Sequence, residues 1–163
     1  EFLKEAGLKP FFMLTGSSGG HVWVPLRRGP DFDEVRELAH RVADTLARDH
    51  PDAFTTQVRK EARQGRLYLD VSRNAYGQTV VAPYGLRALP GAPVATPLAW
   101  DELSRGDLDP RRYTLKNLFR RMARKEDPWD GMGRFGRGLK RLATAMEISR
   151  ETGHEEEAHG NHG

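Results

Sequence analysis

The chain has 163 residues, 37% hydrophobic and 30% charged, enough for one globular domain with a modest core, and it has no apolar run long enough to cross a bilayer. It contains no cysteine, which excludes disulfide frameworks, thiolate metal sites and a cysteine nucleophile. The net charge is +3, and setting aside the four acids of the tail from Glu151 leaves +7 on residues 1–150, a balance that suits phosphate-bearing partners although many basic proteins bind none.

Residues 2–7 read as the last turn of a helix stopped by Gly7. One turn is not stable alone, so the natural protein is expected to continue before Glu1; a frayed terminus is the alternative. Phe11-Phe12-Met13-Leu14 is a strand, residues 15–20 (Thr-Gly-Ser-Ser-Gly-Gly) a turn, and residues 21–26 a returning strand that ends near Pro25. The clearest helix spans residues 31–48. Phe32, Val35, Leu38, Ala39, Val42, Ala43 and Leu46 recur at helical spacing, and Asp31 and Glu34 have capping-box spacing. Residues 66–71 and 78–82 read as an antiparallel strand pair about a turn at 74–77.

Residues 88–98, with Pro90, Gly91, Pro93 and Pro97, read as an ordered connector of little regular structure. A short helical start is expected at 98–103. A helix is expected at 114–125, with Leu115, Leu118, Phe119 and Met122 on one face. From Gly131 the chain is Gly-rich and basic, then weakly helical through 139–149. The acidic, His-bearing tail of residues 151–163 is expected to be disordered, and His154, His159 and His162 lack the supporting order of a metal site. Three parts follow: 1–130 as the main domain, 131–150 as a basic extension, and 151–163 as the tail.

Four segments could carry chemistry. The 15–20 loop has glycines that admit close approach and hydroxyls that donate, so Thr15, Ser17 and Ser18 could cradle phosphate beside His21; a small-residue hairpin turn is the commoner structure. Asp70 is expected on an apolar strand, sharing a face with Tyr68 and Ser72, where a carboxylate is costly unless paired or metal-bound; an edge aspartate facing water is equally compatible. Arg87 follows a strand end after Pro83 and Gly85 and could grip phosphate with its fork, or be an ordinary loop arginine. Residues 111–141 hold eleven Lys or Arg against three acids, with Phe119, Trp129 and Phe135 interleaved. That pattern suits nucleic acid, with Arg120, Arg121, Arg124 and Lys125 as weak candidates, or a solvated helix face over core aromatics.

In order, these segments form a stronger signal. The Gly/Ser loop runs into His21-Val22-Trp23-Val24-Pro25-Leu26. Then come Arg63-Gln64-Gly65-Arg66-Leu67-Tyr68-Leu69-Asp70 and Ser72-Arg73-Asn74. Thr79-Val80-Val81-Ala82-Pro83-Tyr84-Gly85-Leu86-Arg87 follows, and Pro90 through Leu103 closes the series. The chain resembles the polymerase domain of bacterial DNA ligase D, of the archaeo-eukaryotic primase superfamily, over about residues 1 to 125.

The resemblance implies an α/β (α+β) fold with an RRM-like primase/polymerase core, a mainly antiparallel sheet and flanking helices, of which this chain is the C-terminal half. It implies a nucleotidyltransferase that extends DNA ends in non-homologous end joining. Two divalent cations, Mn2+ or Mg2+, would align a primer hydroxyl with an NTP or dNTP. Asp70 matches a metal-binding strand aspartate and Arg63 a nucleotide-supporting arginine. Thr15, Ser17, Ser18, His21, Arg73 and Arg87 match triphosphate-binding positions. Implied partners are DNA ends with a 5'-phosphate and, by association, a ligase domain and a Ku-type end-binding protein, in the bacterial cytoplasm at the nucleoid, with no membrane role. The departures are the lack of Asp-x-Asp before the loop, Ser18 where many members carry Lys, and Arg73 where many carry Gln. One metal carboxylate cannot hold two cations, so these residues alone are expected to be inert. The alternative is a non-catalytic nucleic-acid-binding module on the same scaffold.

Overall fold

A computed structural model describes residues 1–104, 106, 108–140 and 143–144. It divides into two compact units, Glu1–Arg27 with Val81–Arg137, and Arg28–Val80 with the segment from Gly138. The expected tail, 151–163, lies outside the described residues, as does most of the helix expected over 139–149. No helix among the described residues is long and apolar enough to cross a membrane.

The first unit opens with the short helix α1 (Phe2–Glu5) and is built on a three-stranded antiparallel sheet. The central strand β1 (Phe11–Leu14) pairs with β2 (Gly20–Trp23) on one side and with a strand at Thr96–Leu98 on the other. Directly paired residues point to one face. One face therefore carries Phe11, Met13, Trp23, His21 and Pro97, and the other carries Phe12, Leu14, Val22 and Leu98. The first face is closed by Trp129. Its ring meets Phe11 edge-on at 6.2 Å and Trp23 at 5.5 Å, and its indole N–H donates to the Phe12 carbonyl at 3.1 Å. Phe135 adds a further ring at 6.0 Å from Phe11. On the second face Phe12 packs on Trp100. Gly20 is required there, because a Cβ would enter the Phe12 ring at 2.2 Å.

The proline-rich connector is ordered, as expected, and has little regular structure apart from the strand at Thr96–Leu98. Residues 93–98 are the most deeply buried run of the unit, with Thr96 at 0% exposure. Prolines have no N–H to give a ladder and so sit at sheet edges, and this third strand is an edge strand. Sequence pattern hid it, because Pro signals a breaker and carries no alternation. Phe11, Phe12 and Trp23 are buried or half-buried. Residues 131–137, expected to begin a separate extension, join the first unit, where Arg137 bridges to Leu26.

In the second unit α2 (Phe32–Asp49) begins as expected. The Asp31 carboxylate accepts from the Glu34 amide at 2.8 Å and Glu34 accepts from the Asp31 amide at 2.9 Å. Leu38, Ala43 and Thr45 are its buried residues. It packs on β3 (Phe54–Thr55) and on a 3₁₀ turn at Ser72–Asn74. The antiparallel pair expected over 66–71 and 78–82 is corrected. Only Leu67–Tyr68 forms a strand (β4), and it pairs in parallel with β3. Residues 78–82 form no strand. A β-branched run becomes a strand only where a ladder partner meets it, and after the 3₁₀ turn at Ser72–Asn74 none meets residues 78–82 along β4.

The strand Thr96–Leu98 is β5, and the helix expected over 114–125 shrinks to α3 (Leu118–Met122), after a 3₁₀ helix at Trp100–Ser104. Of its predicted apolar face only Leu118 is buried.

Candidate functional site

Thr15 organises the loop between β1 and β2. Its hydroxyl donates to the Gly19 carbonyl at 2.9 Å and accepts from the Ser17 and Gly19 amides at 3.2 and 3.4 Å. The hydroxyl proton is thus used inside the loop, and Thr15 shapes the cradle rather than donating from it. Among the described residues the Gly16 and Ser18 amides make no hydrogen bond. Gly16 has φ +67°, and a Cβ there would lie 2.8 Å from Arg87 Cγ and 3.1 Å from the Val94 carbonyl carbon. Only glycine lets the Arg87 stem lie against the loop.

Arg87 reaches the loop because a strained turn aims it. Tyr84 has φ +61°, unusual for a side chain of that size. It is held by its amide donating to the Ala95 carbonyl at 2.7 Å. Burial first, then the carboxylate of Asp127, which accepts from its hydroxyl, push the phenol up to about 12. Arg87 then donates its amide to Pro93 at 2.8 Å. Arg111 also reaches the loop, its Nε donating to the Ser17 carbonyl at 3.1 Å. Among the described residues neither guanidinium meets a carboxylate. His21 stands on the sheet face of Met13 and Trp23. Sequence reasoning missed Arg111 as a loop residue, since no local pattern ties it to a position 94 residues away.

Asp70, Arg63 and Arg73 belong to the second unit. Asp70 lies beyond β4, not within a strand, and is exposed. Its Oδ1 accepts from the Ser72 hydroxyl at 2.6 Å and the Ser72 amide at 2.9 Å. Partial burial raises its pKa, but the Ser72 bonds together with Arg73 and Arg63 outweigh it and leave the carboxyl below its usual range. Arg63 donates to the Gln57 and Val58 carbonyls at 3.2 and 2.7 Å and lies over the Tyr68 ring at 4.1 Å. Arg73 donates to the Gln78 side chain at 2.9 Å. No group of three His, Asp or Glu residues suited to a metal occurs among the described residues. A groove of about 360 Å³ in this unit, lined by Glu34, Glu37, Arg41 and Lys140, includes none of the site residues expected from sequence.

The basic stretch is divided by packing. Arg121 donates to both Glu102 oxygens at 2.6 and 2.8 Å, to the Pro97 carbonyl at 3.1 Å and to the Tyr113 hydroxyl at 3.1 Å. Lys125 adds an ion pair to Glu102 at 3.0 Å. Arg121 and Lys125 therefore hold the fold together, and Trp129 and Phe135 belong to the core. Arg120 and Arg124 remain exposed, beside a Phe119 that is 69% exposed.

A family model described as the LigD primase-polymerase domain matches residues 1–129. The chain is 34% identical over 129 residues to the multifunctional non-homologous end joining protein LigD of Pseudomonas aeruginosa, covering 78% of this chain and 15% of that protein. It is 33% identical over 127 residues to the corresponding DNA repair protein of Mycobacterium tuberculosis, with 78% and 16% coverage. Among solved structures it is similar to the polymerase domain of M. tuberculosis ligase D in complex with DNA. The TM-score there is 0.74 at 31% identity, over 82% of this chain and 46% of that one. The chain thus spans under half of the polymerase-domain structure and under a fifth of the length of these two relatives.

Proposed function

The chain belongs to the LigD primase-polymerase domain family, and from this we propose that it supplies the triphosphate-holding part of a nucleotidyltransferase acting on DNA ends in non-homologous end joining. Its relatives are end-joining proteins, and its structural neighbour is complexed with DNA. The observation that carries the reading is local. A glycine loop with two amides unbonded among the described residues lies against Arg87, which meets no carboxylate among them, an arrangement matched to an anionic polyphosphate. Thr15 shapes the cradle, Ser17, Ser18 and His21 line or flank it, and Arg63 and Arg73 support Asp70. Template and primer ends, an attached ligase, a Ku-type partner and a place at the bacterial nucleoid belong to the same proposal.

Two-cation chemistry with Mn2+ or Mg2+ needs several carboxylate oxygens held together. Asp70 stands with Ser72, not with a second carboxylate, so the described residues alone do not fit a two-metal centre. Asp70 is proposed as one ligand of such a centre, and the 163 residues alone are expected not to extend a primer.

Titration of this chain with a fluorescent deoxynucleoside triphosphate tests the reading. Saturable binding that Arg87→Ala weakens about tenfold is expected. Absence of binding, or binding indifferent to Arg87→Ala, would remove the loop from the proposal. A non-catalytic nucleic-acid-binding module is favoured by the exposed Phe119, followed in the chain by the exposed Arg120 and Arg124. Single-strand binding lost in Phe119→Ala, without triphosphate binding, would put that reading first.

A further inference from the structure

We infer that Arg111 is a second phosphate-binding arginine of the Thr15–Gly19 loop, acting with Arg87 on the polyphosphate of a nucleoside triphosphate; this rests on the nucleotide reading above. The convergence is built by backbone. Arg87 donates to Pro93, Val94 donates to Tyr113, and Leu115 donates to Ala92, at 2.8, 2.8 and 3.1 Å. Pro93 also bridges Thr114. Three chain runs therefore lie side by side, and the arginine at the end of each outer run reaches the same loop.

The attachments differ. Arg87 lays its aliphatic stem on Gly16, while Arg111 bonds the Ser17 carbonyl through Nε. A guanidinium carries five N–H donors, so the Nε bond leaves four on Arg111 for a ligand. The root of Arg111 is fixed because the Asp109 carboxylate accepts from its amide at 2.8 Å. Gly16 and Ser17 are sequence neighbours, so the Arg87 stem and the Arg111 guanidinium meet the loop at adjacent residues. The loop itself bears no cation, and neither arginine is neutralised within the described residues. Two like charges gathered on unbonded amides call for an anion with more than one charged group, which a triphosphate has and a monophosphate lacks.

The test is equilibrium binding to this chain of inorganic tripolyphosphate, a deoxynucleoside triphosphate and the matching monophosphate. Wild type is compared with Arg111→Ala, Arg111→Lys, Arg87→Ala and the exposed control Arg36→Ala. Arg111→Ala is expected to weaken tripolyphosphate and the nucleoside triphosphate about tenfold, to spare the monophosphate, and to leave the melting temperature unchanged. Arg111→Lys should recover part of the loss, and Arg36→Ala should match wild type. Weakening by Arg87→Ala with wild-type binding by Arg111→Ala would overturn the inference and leave the nucleotide reading standing. If Arg87→Ala also changes nothing, the nucleotide reading falls and this inference with it. Equal losses for mono- and triphosphate with a lowered melting temperature would make the Ser17 bond merely structural, which also overturns it.

Discussion

Replacing Glu102 by Gln should destabilise the first unit, relative to wild type, far more at neutral pH than at acid pH. Glu102 is buried, and its side chain and that of Arg121 are 4% and 10% exposed. Both its oxygens accept from Arg121, Lys125 pairs with it, and one also accepts from the Ala99 amide at 3.0 Å. Arg121 is the main cause that holds its carboxyl down to about 2 from 4.5, against the upward push of burial. A gap of that size corresponds to about 3 kcal/mol of linkage, in line with the roughly 3–5 kcal/mol for breaking a buried pair. The folded-state pKa is depressed, so the contribution is whole above about 4.5, declines as pH falls toward 2, and is absent below. Trp23, Trp100 and Trp129 all belong to the first unit, so urea melts followed by tryptophan fluorescence report on it. At pH 7 the variant should lose about 3 kcal/mol, a Tm fall of more than about 10 °C for a unit of this size. Near pH 3 the two curves should approach each other. A loss under about 1 kcal/mol at pH 7, or a gap that ignores pH, would refute the argument. Glu102→Leu combined with Arg121→Met should recover most of the loss, since the desolvated charges leave together.

Gly16→Ala forces a side chain into a left-handed conformation against Arg87 and the Val94 backbone. Triphosphate affinity should fall about tenfold and stability by about 1–2 kcal/mol, read by titration and thermal melting. Thr15→Val removes the hydroxyl that accepts two loop amides and should weaken triphosphate binding, whereas Thr15→Ser should retain it; equal binding by both would show that the loop holds its shape without the hydroxyl. Asp70→Asn, made in a polypeptide carrying the complete family domain, should reduce manganese-dependent primer extension by orders of magnitude while DNA binding persists. Near-normal extension would take Asp70 out of the chemistry.

Much of the candidate site was legible because its residues fall in ordered local motifs. The Gly/Ser loop leading to His21 and the turn before Arg87 each sit within a few residues of a strand-like run, and their order carried the family resemblance. Arg111 was not legible, because its partner Ser17 is reached only through the packing of residues 92–94 against 113–115. Arg121 looked like any other cation of a basic stretch. What sets it apart is Glu102, nineteen residues earlier and buried.

Local chemistry alone determined α2 and the β1–β2 hairpin. The Asp31–Glu34 box satisfies helix-end amides within four residues, and a small-residue turn closes two apolar runs. Tertiary structure alone decided that Pro97 lies in the buried edge strand of a sheet and Pro93 in a buried bridge to Thr114, that residues 78–82 form no strand, and that Trp129 is core. Each of these depends on a hydrogen-bond or packing partner distant in sequence. A strand has no internal hydrogen bonds, so its existence is settled by what meets it, whereas a capped helix carries its own.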